Sequence, residues 1–274
     1  MSLTFIGGGN MATALAGGGV RAGAAAHELR VVEPVEAQRA ALAARFPGIA
    51  LFAAPTRDAI AGADVVVMAV KPQFMRAAAT ALAPFVADVP VVLSIAAGIR
   101  SRDLARWLGG YARIVRAMPN TPALVGVGIS GAWAAPDVTT AARERAADVL
   151  RAGGEVVWFD DEAALDAVTA VSGSGPAYVF YLIEAMEQAG ADVGLRPADA
   201  RKLAYATVAG GIALARASDA EPATLRAQVT SKGGTTARAI DTLDAHRVKD
   251  AFVAAIRAAA ARAAEMGDEF GREE

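Results

Sequence analysis

Apolar positions in the first half of the chain fall into short runs separated by stretches of helical period. Residues 3–6, 29–32, 65–70, 91–95 and 114–118 are each too short for a helix and read as strands. Helical spacing recurs between several of them, at 10–22, 35–45, 73–83 and 101–109. The run Val65-Val66-Val67-Met68-Ala69-Val70 is apolar at every position. Such a strand must be covered on both faces, as a central parallel strand is. Two more strand-like runs, 127–133 and 155–159, flank a helix expected at about 137–152. Residues 1–160 therefore predict an open, doubly wound α/β sheet.

From Asp161 onward the pattern is helical alone, at 162–170, 176–192, 197–217, 222–229, 234–244 and 246–268. Pro197 and Pro222 stand where a first helical turn tolerates proline. Tyr178-Val179-Phe180-Tyr181-Leu182-Ile183 is apolar nearly all round and cannot form a single stripe. A helical domain spanning 161–274 cannot cover that surface alone, so interleaving with a second copy is expected. The tail 270–274 reads as disordered.

Composition narrows the function classes. The chain is 54% hydrophobic with a mean hydropathy of +0.34, yet its longest apolar runs are too short and too rich in Ala, Gly and Thr to span a membrane. The start, Met1-Ser2-Leu3-Thr4-Phe5-Ile6, has no basic region and runs straight into a strand, unlike a signal peptide. There is no cysteine, and the two histidines, His27 and His246, lie in no motif. Thiolate nucleophiles drop out, and a bound catalytic metal has no ligand cluster to hold it. A formal net charge of −2 leaves no basic tract for nucleic acid. These features read as a cytoplasmic globular enzyme.

Gly7-Gly8-Gly9-Asn10-Met11-Ala12 follows the first strand and opens a helix, matching G-x-G-x-x-A. Gly7 permits the tight turn, Gly9 lets backbone approach a pyrophosphate, and Ala12 lets helix pack close to strand. The first domain is thus expected to be a Rossmann-type dinucleotide site. Glu33 ends the second strand, where a carboxylate binds a ribose 2′-hydroxyl and repels a 2′-phosphate; a solvated loop acid is the plainer alternative. Lys71, one of four lysines, leaves the central strand at its carboxyl end in Ala69-Val70-Lys71-Pro72-Gln73. It either faces the ligand mouth or caps a loop. Arg116-Ala117-Met118-Pro119-Asn120-Thr121-Pro122 ends another strand with two turn-fixing prolines and two side-chain hydrogen-bonding groups. Ser172-Gly173-Ser174-Gly175-Pro176-Ala177-Tyr178 joins the two domains, as a hinge, as a close approach for a flat ring, or both.

Near the far end, Val229-Thr230-Ser231-Lys232-Gly233-Gly234-Thr235-Thr236 precedes a helical pattern. Hydroxyls and glycines just before a helix gather free backbone N–H groups at the positive end of its dipole. That is an anion site built without an arginine.

Taken in order, F-I-G-G-G-N-M-A, A-V-K-P-Q, R-A-M-P-N-T-P, S-G-S-G-P-A-Y and V-T-S-K-G-G-T-T-A-R-A-I closely resemble the motifs of pyrroline-5-carboxylate reductases, from residue 5 to about 244. The resemblance implies reduction of 1-pyrroline-5-carboxylate to L-proline, the last step of proline biosynthesis, with NADPH or NADH. It implies a helical C-terminal domain that forms a homodimer, with further assembly commonly into decamers. By motif position, Ile6, Gly7, Gly8, Gly9, Asn10 and Met11 bind the nucleotide, together with Ala69, Val70, Lys71 and Pro72. Thr56 falls where family members contact the cofactor. Ser231, Gly234, Thr235 and Thr236 match the segment holding the substrate carboxylate and ring nitrogen, with the Gly233 backbone N–H contributing. Members mostly prefer NADPH, and Glu33 departs from the small or basic residues that suit a 2′-phosphate.

The missing residue types agree with that chemistry. A cyclic iminium is already electrophilic, so hydride transfer to its C=N carbon needs orientation and no nucleophile or metal. Thr236 is the one residue expected to act on the reacting atoms, through the ring nitrogen. A β-hydroxyacid dehydrogenase or related imine reductase shares the two-domain layout, but hydroxyl oxidation needs a general base, and around Lys202 no matching lysine–asparagine spacing appears. A nucleotide-sensing dimer without catalysis has no need of the 231–236 nest.

Overall fold

The computed structural model describes residues 1–272. Among them, eight strands form one sheet in the order β3-β2-β1-β4-β5-β6-β7-β8. The strands are β1 (Leu3–Ile6), β2 (Leu29–Val32), β3 (Ala50–Phe52), β4 (Val65–Met68), β5 (Val92–Ser94), β6 (Ile114–Pro119), β7 (Gly128–Ala134) and β8 (Gly154–Trp158). All neighbours pair in parallel except β6 and β7. The helices between them are α1 (Asn10–Arg21), α2 (Glu36–Arg45), α3 (Arg57–Ile60), α4 (Pro72–Leu82), α5 (Ser101–Trp107) and α6 (Thr140–Arg151).

The central strand behaves as its apolar run requires. Val65 and Val67 pack into one core with Leu15 of α1 and Leu150 of α6. Val66 and Met68 pack into the other with Met75 and Leu82 of α4 and Leu104 of α5. None of β4 is exposed, so the period-2 alternation divides it between two hydrophobic layers. The expected doubly wound sheet is present.

Among the strands and α-helices, two short ones have no counterpart in the sequence pattern: β3, with three residues, and α3, with four. Neither is long enough to show a period. The helix expected at 162–170 is split into α7 (Ala164–Val168) and a π-helical turn, Thr169–Gly173. Beyond it come α8 (Gly175–Asp192), α9 (Pro197–Arg216), α10 (Pro222–Gln228), α11 (Thr235–Ala245) and α12 (Val248–Gly271).

The chain divides into two compact units after Ser174, later than the boundary expected at 160, because β8, α7 and the π-turn belong with the sheet. The first unit is Met1–Ser174 with the residues from Ala259 onward; the second is Gly175–Ala258. The expectation of a disordered tail at 270–274 needs correction at its start. Phe270 lies in α12 and packs on the core below α5, where Gly98 and Gly267 leave room for the helix against Arg100. Glu273 and Glu274 lie outside the described residues.

Within the second unit, α8 and α9 meet through Gly190 and the buried Ala200, and Tyr178 and Phe252 make an edge-on ring contact at 5.8 Å. Large apolar side chains stay open: Phe180 is 60% exposed, Tyr181 73%, Leu203 54% and Ile212 59%. Taken alone this unit leaves much of its apolar surface uncovered, as the all-round apolar helices predict. Among the described residues, no helix is long and apolar enough to cross a membrane.

Candidate active site

Strand order brings the motifs of the first unit together. β2, β1 and β4 lie side by side and run parallel, so the segments leaving them meet at one sheet edge. The β1–β4 boundary is where the strand order reverses, the position at which open α/β sheets bind ligands. There the Gly7 N–H donates to Val32 O at 2.8 Å, and the Ala69 N–H to Ile6 O at 2.8 Å. A cleft of about 530 Å³ opens over these ends. It is lined by Ile6, Gly7, Gly8, Gly9, Glu33, Ala69, Val70 and Lys71 of the expected nucleotide residues. Asn10, Met11, Thr56 and Pro72 do not line it; the Thr56 hydroxyl instead caps α3, accepting from the Ala59 N–H at 3.2 Å.

The glycine-rich turn fits a pyrophosphate. Gly7 has φ of 98°, a conformation that costs other residues dearly, and a Cβ there would lie 2.9 Å from Ala69 O. A Cβ on Gly9 would meet no protein atom within 4 Å, so its backbone faces open space at the start of α1. That is the position from which a helix N-terminus binds phosphate.

Glu33 proves more than a loop acid. Its Oε2 accepts from the Gly8 N–H at 2.9 Å and its Oε1 from the Val35 N–H at 2.9 Å. Lys71 lines the cleft, and its side chain makes no cap to α4. Phe74, Ala77, Ala78 and Ala81 complete the wall. Their spacing of three, four and seven marks one stripe of α4, beside the face that buries Met75, Ala79 and Leu82. Sequence reading missed this second stripe, although its period was there to find.

The motif ending β6 holds the π-turn in place. Asn120, 8% exposed, donates from Nδ2 to Ser172 O at 3.2 Å, and its Oδ1 accepts from the Ile129 N–H at 3.0 Å. Arg116, deeper in β6, donates to Glu162 Oε1 at 2.6 Å. Glu162 also accepts from the Ser101 N–H and hydroxyl, and Arg100 forks onto Asp166 of α7. Burial pushes the Arg116 guanidinium down, and Glu162 partly offsets it. For Glu162 burial raises the carboxyl, but the Ser101 and Arg116 hydrogen bonds together hold it below its ordinary value. These bonds tie the segment before Gly173 to the sheet.

In the second unit the expected nest forms a turn before α11. Gly233 has φ of 71°, the Gly234 N–H donates to Ser231 O at 3.0 Å, and Gly234 is the N-cap of α11. The first N–H groups of α11, from Thr235 on, have no acceptor within the helix. Ser231, Gly233 and Thr235 are exposed, and Thr236 is partly so. Among the described residues, no group of three or more His, Asp or Glu is placed to hold a metal ion.

Sheet order, glycine-rich turn and acidic β2 terminus define a dinucleotide-binding protein of the Rossmann class. Residues 2–98 match the family model described as NADP oxidoreductase, coenzyme F420-dependent, and residues 162–266 that of pyrroline-5-carboxylate reductase dimerisation. The chain is 44% identical to a pyrroline-5-carboxylate reductase of Pseudomonas aeruginosa, over 98% of both chains. A Coxiella burnetii pyrroline-5-carboxylate reductase structure superposes with a TM-score of 0.90 at 34% identity, covering 97% of this chain and 98% of that one. A Plasmodium falciparum pyrroline carboxylate reductase with NADP bound superposes at 0.86 and 27% identity, with the same coverage. The chain belongs to the pyrroline-5-carboxylate reductase family.

Proposed function

We propose that this chain reduces 1-pyrroline-5-carboxylate to L-proline with NAD(P)H, the last step of proline biosynthesis. One observation carries the reading. The chain joins a dinucleotide cleft, charged only by Glu33 and Lys71 among its described lining residues, to a glycine–hydroxyl nest at the start of α11. No histidine lines the cleft or stands in the nest to serve as the general base that a hydroxyacid oxidation needs.

Each part has a task. Ile6, Gly7, Gly8, Gly9, Ala69, Val70 and Lys71 hold the dinucleotide, with Asn10, Met11 and Pro72 beside them in sequence and Thr56 beside Pro55 of the same cleft. A bound reduced nicotinamide supplies hydride to the C=N carbon. Backbone N–H groups of 233–236, with the Ser231 and Thr235 hydroxyls, hold the substrate carboxylate at the positive end of α11. The Thr236 hydroxyl hydrogen-bonds the ring nitrogen and assists its protonation, which balances the hydride and gives the amine. Orientation does most of the work, since the electrophile arrives activated.

Two copies pair through the helices of the second unit, whose open apolar side chains call for a partner, and the dimers assemble further into a decamer. The site of action is the cytoplasm. Light scattering on the purified protein measures the assembly. The activity is tested by following NAD(P)H oxidation with pyrroline-5-carboxylate, and NAD(P)⁺ reduction with β-hydroxyacids, in parallel. Turnover confined to the hydroxyacids would replace this reading with the dehydrogenase one.

A further inference from the structure

Resting on the reading of the cleft as a nicotinamide-dinucleotide site, we propose that Glu33 makes this enzyme select NADH over NADPH. Three bonds fix the residue. Its two carboxylate oxygens accept from the N–H groups of Gly8 and Val35, each at 2.9 Å. Its own N–H donates to Phe52 O at 2.9 Å. A glutamate tied at both oxygens must break both bonds to swing aside for a second anion, and one of its ties is to the phosphate-binding turn itself. A carboxylate offers about four lone-pair sites. Two are used here, so acceptors remain for a ribose 2′-hydroxyl, which donates. A 2′-phosphate has no such donor and brings further negative charge to the same place.

Among the described residues no cation bonds the Glu33 carboxylate itself. Arg39, the nearest cation along the chain, directs Nη1 to the carbonyls of Glu33 and Pro34, both at 2.7 Å, and does not line the cleft. Lys71 does line it, but leaves β4, two strands from β2 and so about 10 Å away across the sheet. Among the described residues the carboxylate thus has no ion-pair partner where the adenosine ribose of a Rossmann-bound dinucleotide lies.

The test uses the whole enzyme and two fragments, ADP-ribose and 2′-phospho-ADP-ribose, as competitors of NADH binding followed by its fluorescence. ADP-ribose should bind about tenfold more tightly or better, and kcat/KM should favour NADH over NADPH to a similar degree. Added salt should narrow the gap. Glu33→Gln should narrow it too, by improving the phosphorylated ligand. Equal or tighter binding of 2′-phospho-ADP-ribose to the unmodified enzyme overturns the proposal, and needs no variant to fold. So does a folded Glu33→Gln enzyme with an unchanged ratio. If the fragments are discriminated as expected but pyrroline-5-carboxylate is not reduced, selection by Glu33 stands and the substrate reading falls. If neither fragment binds, both fall.

Discussion

Glu162→Gln removes the negative charge from a nearly buried ion pair while keeping the side chain's size. The Arg116 guanidinium is 4% exposed and Glu162 21% exposed, with 2.6 Å between their closest atoms. Glu162 is also the acceptor for the Ser101 N–H and hydroxyl at 2.6 and 2.7 Å. Removing one partner of a buried pair costs about 3–5 kcal/mol, chiefly because the other charge stays buried. Glutamine keeps one acceptor oxygen and the site is not fully closed, so the loss should fall near the lower end, about 3 kcal/mol. For a chain of this size that lowers the melting midpoint by about 6–12 °C. Thermal and urea unfolding, at fixed protein concentration because association adds to stability, measure it. Adding Arg116→Met to Glu162→Gln should restore most of the loss, since the stranded charge is then gone. A cost below about 1 kcal/mol, or a double variant no better than the single one, would refute the view that the pair offsets a buried charge.

Other expectations follow from the same geometry. Because Glu162 titrates below its ordinary value of 4.5, its contribution is complete above that pH and is lost as pH falls through the lower folded value. The wild type should therefore show a steeper acid loss of stability below pH 4.5 than Glu162→Gln, read from urea midpoints across pH. Gly7→Ala forces a left-handed alanine against Ala69 O and Val70. It should cost at least about 1–2 kcal/mol and weaken NAD(P)H binding in a fluorescence titration; unchanged affinity would count against the turn as the phosphate site. Asn120→Ala leaves the Ile129 N–H and Ser172 carbonyl without their partner, worth about 1–3 kcal/mol in a melting experiment. Thr236→Ala should lower kcat by about a hundredfold or more while NAD(P)H affinity holds, with partial rescue by Thr236→Ser. Wild-type turnover in that variant would remove Thr236 from the chemistry.

Much of the first unit was legible because two-sided burial leaves a mark. The continuous apolar run at 65–70 announces a central strand, and the glycines after β1 announce the ligand edge. The turn before α11 was equally plain, since Thr230-Ser231-Lys232-Gly233 separates the helical patterns at 222–229 and 234–244. Other features depend on contacts between distant residues and leave no local sign. The carboxylate of Glu33 reaches back 25 residues to Gly8. Asn120 reaches forward 52 to Ser172, and the end of α12 returns to Arg100. The π-turn at Thr169–Gly173 differs from a helix only by a shifted hydrogen-bond register, which side-chain period cannot distinguish. Cover for Phe180, Tyr181 and Ile212 is not encoded within one copy, so only the need for it was readable.

Purified enzyme should be mixed with pyrroline-5-carboxylate and a limiting amount of NADH or NADPH, and the L-proline formed compared with the nucleotide consumed. The predicted result is proline in an amount equal to the nucleotide oxidised, with no oxidation when the imine is omitted. Nucleotide that binds but is not consumed, or is consumed without proline appearing, would contradict it.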